Sequence, residues 1–170
     1  KTTVTCAVLQ ALVSRGLRVG AAKCGPDYID PMFHSRVIGA KSSNLDPFFF
    51  DRDTMRYLLA HNGNGCDVTV IEGVMGYYDG LGLTSTRAST YEVARETQSP
   101  VVLVVNARGA ALSVLAAVEG FLHFAPDSGI CGVILNGCSA MSYGPLAREL
   151  ENRLGVRACG YLPRLPEGAL

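Results

Sequence analysis

The sequence predicts an α/β fold in which a mostly parallel sheet carries helices on both faces. Short apolar runs alternate along the chain with longer segments of helical periodicity. The run at 100–106, PVVLVVN, is continuously apolar, as expected for a strand that is covered on both faces. In such sheets ligands bind at the carboxyl ends of the strands. We therefore expect the chemistry just after five residues, Cys24, Glu72, Asn106, Asn136 and Leu162.

The elements of the first half follow from helix caps and β-branched runs. The predicted elements are a helix over 3–15, a strand over 17–24, a short helix over 31–38, a helix over 51–60, a strand over 67–72 and a glycine-rich loop over 73–83. Gly16 ends the first helix. Asp30 is expected to cap the short helix, with Pro31 at its first position. Asp51 is expected to cap the helix that follows it.

The second half repeats the alternation of helix and strand. It predicts a helix over 89–96, a strand over 100–106, a helix over 110–124, a strand over 129–136, a helix over 143–154 and a strand over 156–162. No internal repeat or linker is visible, so we expect one domain over 1–170.

Composition excludes several classes of protein. The chain has 170 residues, of which 48% are hydrophobic, and 15 basic residues balance 15 acidic ones. A neutral chain has no electrostatic footprint for nucleic acid or an anionic membrane. No apolar run approaches the roughly 20 residues of a membrane span, and no signal peptide is visible. Six cysteines without a C-x-x-C pair predict buried thiols in a reducing, cytoplasmic compartment.

The amino end matches the last residues of a phosphate-binding loop, G-x-x-x-x-G-K-[ST]. Lys1, Thr2 and Thr3 lead directly into a helix. In such a loop the lysine neutralises phosphate oxygens and the first hydroxyl binds Mg²⁺. Taken alone, these three residues are a weak signal and favour a helix that merely begins at threonines.

Acidic residues follow two of the predicted strands. Lys23 ends one strand, and Asp27 and Asp30 follow it in a turn with Tyr28 between them. Paired acids at this edge suit metal binding or the orientation of a nucleophile, although they could instead shape the turn and cap a helix. Glu72 ends the next strand. In nucleotide-hydrolysing sheets an acid at this position holds Mg²⁺. The alternative is that the side chain of Glu72 simply faces solvent. The histidines His34, His61 and His123 are expected to be surface or structural residues.

With these motifs in view, the chain resembles the cobyrinic acid a,c-diamide synthase family, the glutamine-dependent amidases of corrinoid biosynthesis. The resemblance spans Lys1 to Arg164 and rests on KTTVT, KCGPDYIDP, NLD, IEGVMGYYDG, VVLVVNARG, GVILN and GYLPR, in that order. It implies a P-loop NTPase fold of the nitrogenase iron protein and dethiobiotin synthetase type. It also implies that ATP phosphorylates a substrate carboxylate, and that ammonia from a carboxyl-terminal glutaminase domain then displaces the phosphate.

The resemblance also implies roles for individual residues. For ATP, these are Lys1, Thr2, Thr3 and Lys23 at the phosphates, with Asn136 and Pro163 at the base. For Mg²⁺, they are Thr2, Asp27 and Glu72. For the corrin carboxylate or the incoming ammonia, they are Tyr28, Asp30 and Asp79. The catalytic residues it implies are Lys1, Lys23, Asp30 and Asp79.

The sequence departs from the family pattern at several places. The strand and glycines of the phosphate loop do not precede Lys1, and no glutaminase domain follows. We therefore expect a fragment that lacks its first strand, is inactive alone and does not hydrolyse glutamine. The family often has Asp where Asn106 stands, and commonly has Arg-Val where Gly137 and Cys138 follow Asn136.

Other functions stay open at this stage. A partition or septum-site ATPase switch has the same architecture, but it needs no pocket of paired acids and tyrosines such as KCGPDYIDP provides. A carboxylating enzyme like dethiobiotin synthetase is a more distant alternative. Hydrogenobyrinic acid and nickel-sirohydrochlorin are alternative tetrapyrrole substrates, and a homodimer is possible.

Overall fold

The computed structural model describes residues 1–164, which form two compact units. The first covers Lys1–Gln98 and the second begins at Ser99. Each contains its own three-stranded sheet with helices beside it, and every strand pair is parallel. The parallel α/β architecture is therefore confirmed. The single domain over 1–170 stays a prediction, and its last six positions lie outside the described residues.

The helices and strands alternate along both units. The first unit contains α1 (Thr2–Ser14), β1 (Val19–Cys24), α2 (Ile29–Phe33), a π-helical turn (His34–Ile38), β2 (Lys41–Leu45), α3 (Arg52–Gly63), β3 (Val68–Glu72) and α4 (Thr90–Thr97). The second contains β4 (Val101–Asn106), α5 (Ser113–His123), β5 (Ile130–Asn136), α6 (Ala140–Leu154) and β6 (Arg157–Leu162). Over residues 1–164, no helix has the length and apolar character needed to cross a membrane.

β1 is the middle strand of the first unit, in the order β2-β1-β3. Its register pairs Lys23 with Asn44 on β2 and with Glu72 on β3. Because all three strands run in the same direction, these residues meet at the carboxyl edge of the sheet. The sheet therefore brings Lys23 and Glu72 together from positions far apart in the sequence.

Every residue of β1 is buried, because both faces of the strand are covered. On one face, Leu9 of α1 packs against Val19 and Ala21. On the other face, Leu45 of β2 and Val93 of α4 belong to one hydrophobic cluster together with residues of β1. Since side chains alternate along a strand, Lys23 lies on the same face as Ala21, toward α1.

The second unit has the strand order β4-β5-β6. Its core contains Val105, Val133 and Leu135 from the sheet and Val118 and Leu150 from the helices. Val102 is 45% exposed, so the expectation that the apolar run is covered on both faces is wrong at that residue.

Two local features differ from the predicted pattern. β2 was not predicted, because its sequence KSSNL is polar and most of the strand is only partly buried. The predicted short helix is divided between α2 and the π-helical turn, which ends at Gly39 in the left-handed conformation with φ of 84°. Asp51 accepts a hydrogen bond from the amide of Thr54, which confirms it as the cap of α3.

Candidate functional site

Lys23 is buried at the centre of an acidic cluster. It is 4% exposed, and its Nζ lies 2.6 Å from Asp30 Oδ2, 3.1 Å from Glu72 Oε1 and 3.8 Å from Asp27 Oδ2. A buried ammonium costs several kcal/mol unless it is paired and hydrogen-bonded. The three carboxylates satisfy that requirement, and they come from β3 and from the segment that follows β1.

The electrostatic balance keeps Lys23 protonated. Burial acts to lower the pKa of Lys23, but hydrogen bonds to Asp30 and Glu72 outweigh it, so the pKa lies above the ordinary 10.5. Because the pKa of Lys23 is higher in the folded protein than in the unfolded chain, its charge stabilises the fold fully at a pH below the ordinary pKa. This stabilisation is lost as the pH rises through the pKa of the folded protein. The ammonium is therefore fully charged at neutral pH.

The first turn of α2 differs from the prediction, because Asp27 and not Asp30 accepts hydrogen bonds from its backbone amides. Asp27 Oδ1 accepts hydrogen bonds from the amides of Ile29, at 2.9 Å, and Asp30, at 3.1 Å. Asp30 lies inside the first turn of α2, and its carboxylate contacts Lys23. The prediction that Asp30 caps the short helix is therefore wrong, because Asp27 receives the free amides and leaves Asp30 available to the ammonium.

Glu72 is buried, which overturns the alternative in which it faces solvent. It is 3% exposed, and its Oε1 accepts a hydrogen bond of 2.9 Å from Thr2 Oγ1. This contact joins the first turn of α1 to the end of β3. The other carboxylate oxygen, Oε2, is buried without a hydrogen-bond partner among residues 1–164.

Lys1 is within electrostatic range of the same cluster. Partial burial and the positive charge of Lys23 lower the pKa of Lys1, while Asp79 and Glu72 act in the opposite direction. Asp79 is exposed, and its Oδ2 accepts a hydrogen bond of 2.8 Å from the amide of Gly76. Lys1 is the N-cap residue of α1, where free backbone amides and the helix dipole add further positive charge.

Thr2 and Glu72 provide the oxygen atoms that suit Mg²⁺. This ion prefers hard oxygen ligands and usually takes only one or two carboxylates, completing its shell with water and phosphate. Asp27 is less available, because its Oδ1 holds two backbone amides. In the described part of the chain, no group of three or more His, Cys, Asp or Glu side chains could hold a metal ion.

An apolar surface adjoins the cluster on α2 and the π-helical turn. Four of its side chains are exposed, namely Tyr28 at 79%, Ile29 at 71%, Phe33 at 43% and Val37 at 65%. We call these four residues the apolar face. Asp30 lies in α2, so the acid that contacts Lys23 and the apolar face belong to one continuous segment of the chain.

The residues predicted to bind the base lie in the second unit. Asn136 ends β5, where its carbonyl accepts a hydrogen bond of 2.8 Å from Ala107. Pro163 follows β6 and is exposed. Asn106 Oδ1 accepts from the amide of Arg108 at 3.1 Å, so this side chain stabilises its own turn. The roles of Asn136 and Pro163 stay predictions.

Two residues at the site were not predicted. His34 is completely buried, and its Nε2 is 3.5 Å from Glu72 Oε2. Asn44 Nδ2 donates a hydrogen bond of 2.7 Å to the carbonyl of Asp27, which holds the turn after β1. The NLD motif could have indicated Asn44, but a histidine in an otherwise exposed helical segment carries no local signal of burial.

The chain is similar to curated amide-forming synthases over almost its whole length. It is 43% identical over 166 residues to a cobyrinate a,c-diamide synthase of Listeria monocytogenes, covering 96% of this chain and 37% of that protein. It is also 43% identical over 164 residues to a hydrogenobyrinate a,c-diamide synthase of Streptomyces coelicolor, covering 96% and 34%. The chain thus spans about a third of the length of these relatives.

Solved structures support the fold. Chloroplast FtsY of Physcomitrella patens matches 92% of this chain and 53% of its own, with a TM-score of 0.66 and 15% identity. This likeness shows the α/β fold of P-loop NTPases. No family model matches the chain.

Replacing the buried lysine tests the cluster. Lys23→Met leaves three carboxylates without their cation, so we expect a loss of about 3–5 kcal/mol in the free energy of unfolding. Urea unfolding of the variant and the wild type measures it.

The matched control is Lys41→Met, because Lys41 is exposed on β2. It should change the free energy of unfolding by less than about 0.5 kcal/mol. A Lys23→Met protein that is as stable as the wild type would contradict the described cluster.

Proposed function

Because the chain belongs to the cobyrinate a,c-diamide synthase family and spans about a third of the length of its curated relatives, we propose that it is the ATP-binding synthetase part of a longer enzyme. That enzyme converts the a and c carboxylates of cobyrinic acid to amides in cobalamin biosynthesis. The observation that carries the proposal is the buried cluster of Lys23 with Asp27, Asp30 and Glu72.

The chemistry requires activation of a carboxylate. A carboxylate is a poor electrophile, because loss of an oxide ion is prohibitive near neutral pH. Its oxygen therefore attacks the γ-phosphorus of ATP, the bond to ADP breaks, and an acyl phosphate forms. Ammonia then attacks the carbonyl carbon, the bond from that carbon to the phosphate-bearing oxygen breaks, and the nitrogen loses a proton. Phosphate leaves and the amide remains.

The lysines of the first unit neutralise charge in the phosphoryl transfer. The carboxylate and the triphosphate are both anions, so their approach needs positive groups that are already in position. Lys1 and Lys23 supply these groups, and Thr3, in the first turn of α1, is a further candidate for the phosphates. Thr2 and Glu72 would hold Mg²⁺, with Asp27 as a further candidate ligand, and the ion supplies further charge neutralisation when bound. The family resemblance implies Asn136 and Pro163 as the residues for the adenine base.

The acceptor carboxylate and the ammonia meet Asp30, Asp79 and Tyr28. Asp30 is hydrogen-bonded to Lys23, so it can orient an ammonium or take its proton without losing its own cation. The apolar face suits the ring of the corrinoid, which is broad and apolar between its carboxylate side chains. Such a ring needs more exposed apolar surface than a small metabolite, and the four exposed side chains of the apolar face provide it.

Hydrogenobyrinic acid is a second candidate substrate. The Streptomyces relative named for it is as similar to this chain as the Listeria relative named for cobyrinate, at 43% identity. The two substrates differ by the central cobalt, and no described residue at the site distinguishes them. Ammonia reaches the site from a glutaminase domain, for which the greater length of the relatives leaves room.

Removing the charge of Glu72 tests the magnesium role. In the full-length protein, Glu72→Gln should lower Mg²⁺-dependent amidation by roughly 100-fold or more, because the carboxylate can no longer bind the ion. The fold should remain, as judged by circular dichroism. Glu149→Gln, which removes an acid that pairs with Arg153 outside the first unit, is the control and should retain activity. If amidation by the Glu72→Gln enzyme depends on Mg²⁺ as it does in the wild type, Glu72 does not bind the ion.

Asp30→Asn separates the two half-reactions. The amide keeps a hydrogen bond to Lys23 but cannot take a proton, so kcat for amidation should fall by roughly 100-fold while the Kd for ATP changes by less than about 3-fold. Steady-state kinetics and calorimetry measure the two quantities, with exposed Asp53→Asn as control. Equal losses of amidation and ATP binding would contradict a role toward the acceptor or the ammonia.

A further inference from the structure

His34 and Glu72 present unpartnered buried atoms to each other. His34 is 0% exposed, and its Nε2 lies 3.5 Å from Glu72 Oε2. Within residues 1–164, neither nitrogen of His34 nor Oε2 of Glu72 has a hydrogen-bond partner. An unsatisfied buried polar atom is costly, and the separation leaves no space for a water molecule between the two groups. A small shift of the imidazole closes this gap and satisfies both atoms.

The helix that carries His34 explains why the ring meets Glu72. Asp30 and His34 are four residues apart along the continuous segment of α2 and the π-helical turn, so they lie on the same side of it. Asp30 contacts Lys23, and His34 contacts the partner of Lys23, Glu72. His34 is also the first residue of the π-helical turn, a rare conformation that is frequent at functional sites.

We propose that His34 is a positioning residue for Glu72. Its Nε2–H donates to Oε2 and thereby keeps Oε1 directed at Thr2. The torsion at the end of a glutamate side chain is broad, so the covalent structure alone does not select which oxygen faces Thr2. Lys23 and Thr2 both contact Oε1, which leaves Oε2 to be held from the opposite side. The consequence for Mg²⁺ rests on the proposed function, whereas the hydrogen bond itself does not.

Two substitutions separate the hydrogen bond from the volume of the ring. In the full-length protein, His34→Phe fills the cavity without a donor, and His34→Gln supplies an amide that can reach Glu72. Calorimetric titration with Mg²⁺ at saturating ATP should show about 10–100-fold weaker binding in His34→Phe, as for other residues that orient a metal ligand. His34→Gln should restore most of the affinity. Thermal unfolding identifies a variant that has lost its fold.

The effect should also depend on Glu72. In the Glu72→Gln background, His34→Phe should cause no further loss of Mg²⁺ affinity, because the oxygen that His34 positions is no longer a carboxylate. Equal affinity in wild type and His34→Phe, or an equal loss with and without Glu72, would overturn the proposal. So would a His34→Gln protein that is folded but binds Mg²⁺ as weakly as His34→Phe.

Nuclear magnetic resonance of labelled histidine tests the hydrogen bond without any metal. The His34 ring should carry its proton on Nε2, and this resonance should shift in Glu72→Gln. A ring protonated only on Nδ1, or a resonance that does not respond to Glu72→Gln, overturns the proposal even if neither ring variant folds. ATP binding that does not depend on Mg²⁺ in the wild type would instead overturn the proposed function, and the histidine resonance would then decide the role of His34 by itself.

Discussion

The buried ammonium of Lys23 is the interaction on which the architecture of the site depends. It lies on the middle strand of its sheet, so the neighbouring strand supplies Glu72 and the segment after β1 supplies Asp27 and Asp30. An ammonium in this position is tolerated only with such partners. The requirement links three elements of the first unit, and Thr2 adds a fourth, α1, through its contact with Glu72.

The charges of the cluster bear on the proposed function. The ammonium of Lys23 lies among the carboxylates of Asp27, Asp30 and Glu72, so the acids outnumber it. Under the proposed function, Mg²⁺ would add to this acidic cluster, and Lys1, Lys23 and the ion would share the negative charge of a triphosphate. The apolar face beside the cluster would then contact the ring of the corrinoid.

Much of the fold could be predicted because apolar runs end at polar residues, as at Lys23 and Glu72. The strand β2 could not, because an edge strand that is only partly buried does not need apolar residues. The sequence predicts Asp30 as the cap of the short helix, and this prediction fails because the carboxylate of Asp30 pairs with the ammonium of Lys23 instead. The burial of His34 likewise depends on β3, which lies more than thirty residues away in the sequence.

The protonation of Lys23 shows directly whether the carboxylates hold its ammonium. In the full-length protein with ¹⁵N-labelled lysine, the Nζ resonance of Lys23 can be assigned through Lys23→Arg and followed as the pH is raised. We expect a resonance that exchanges slowly with solvent and a pKa above the ordinary value of 10.5. A pKa at or below that value, or a rapidly exchanging ammonium, would show that the carboxylates do not hold Lys23.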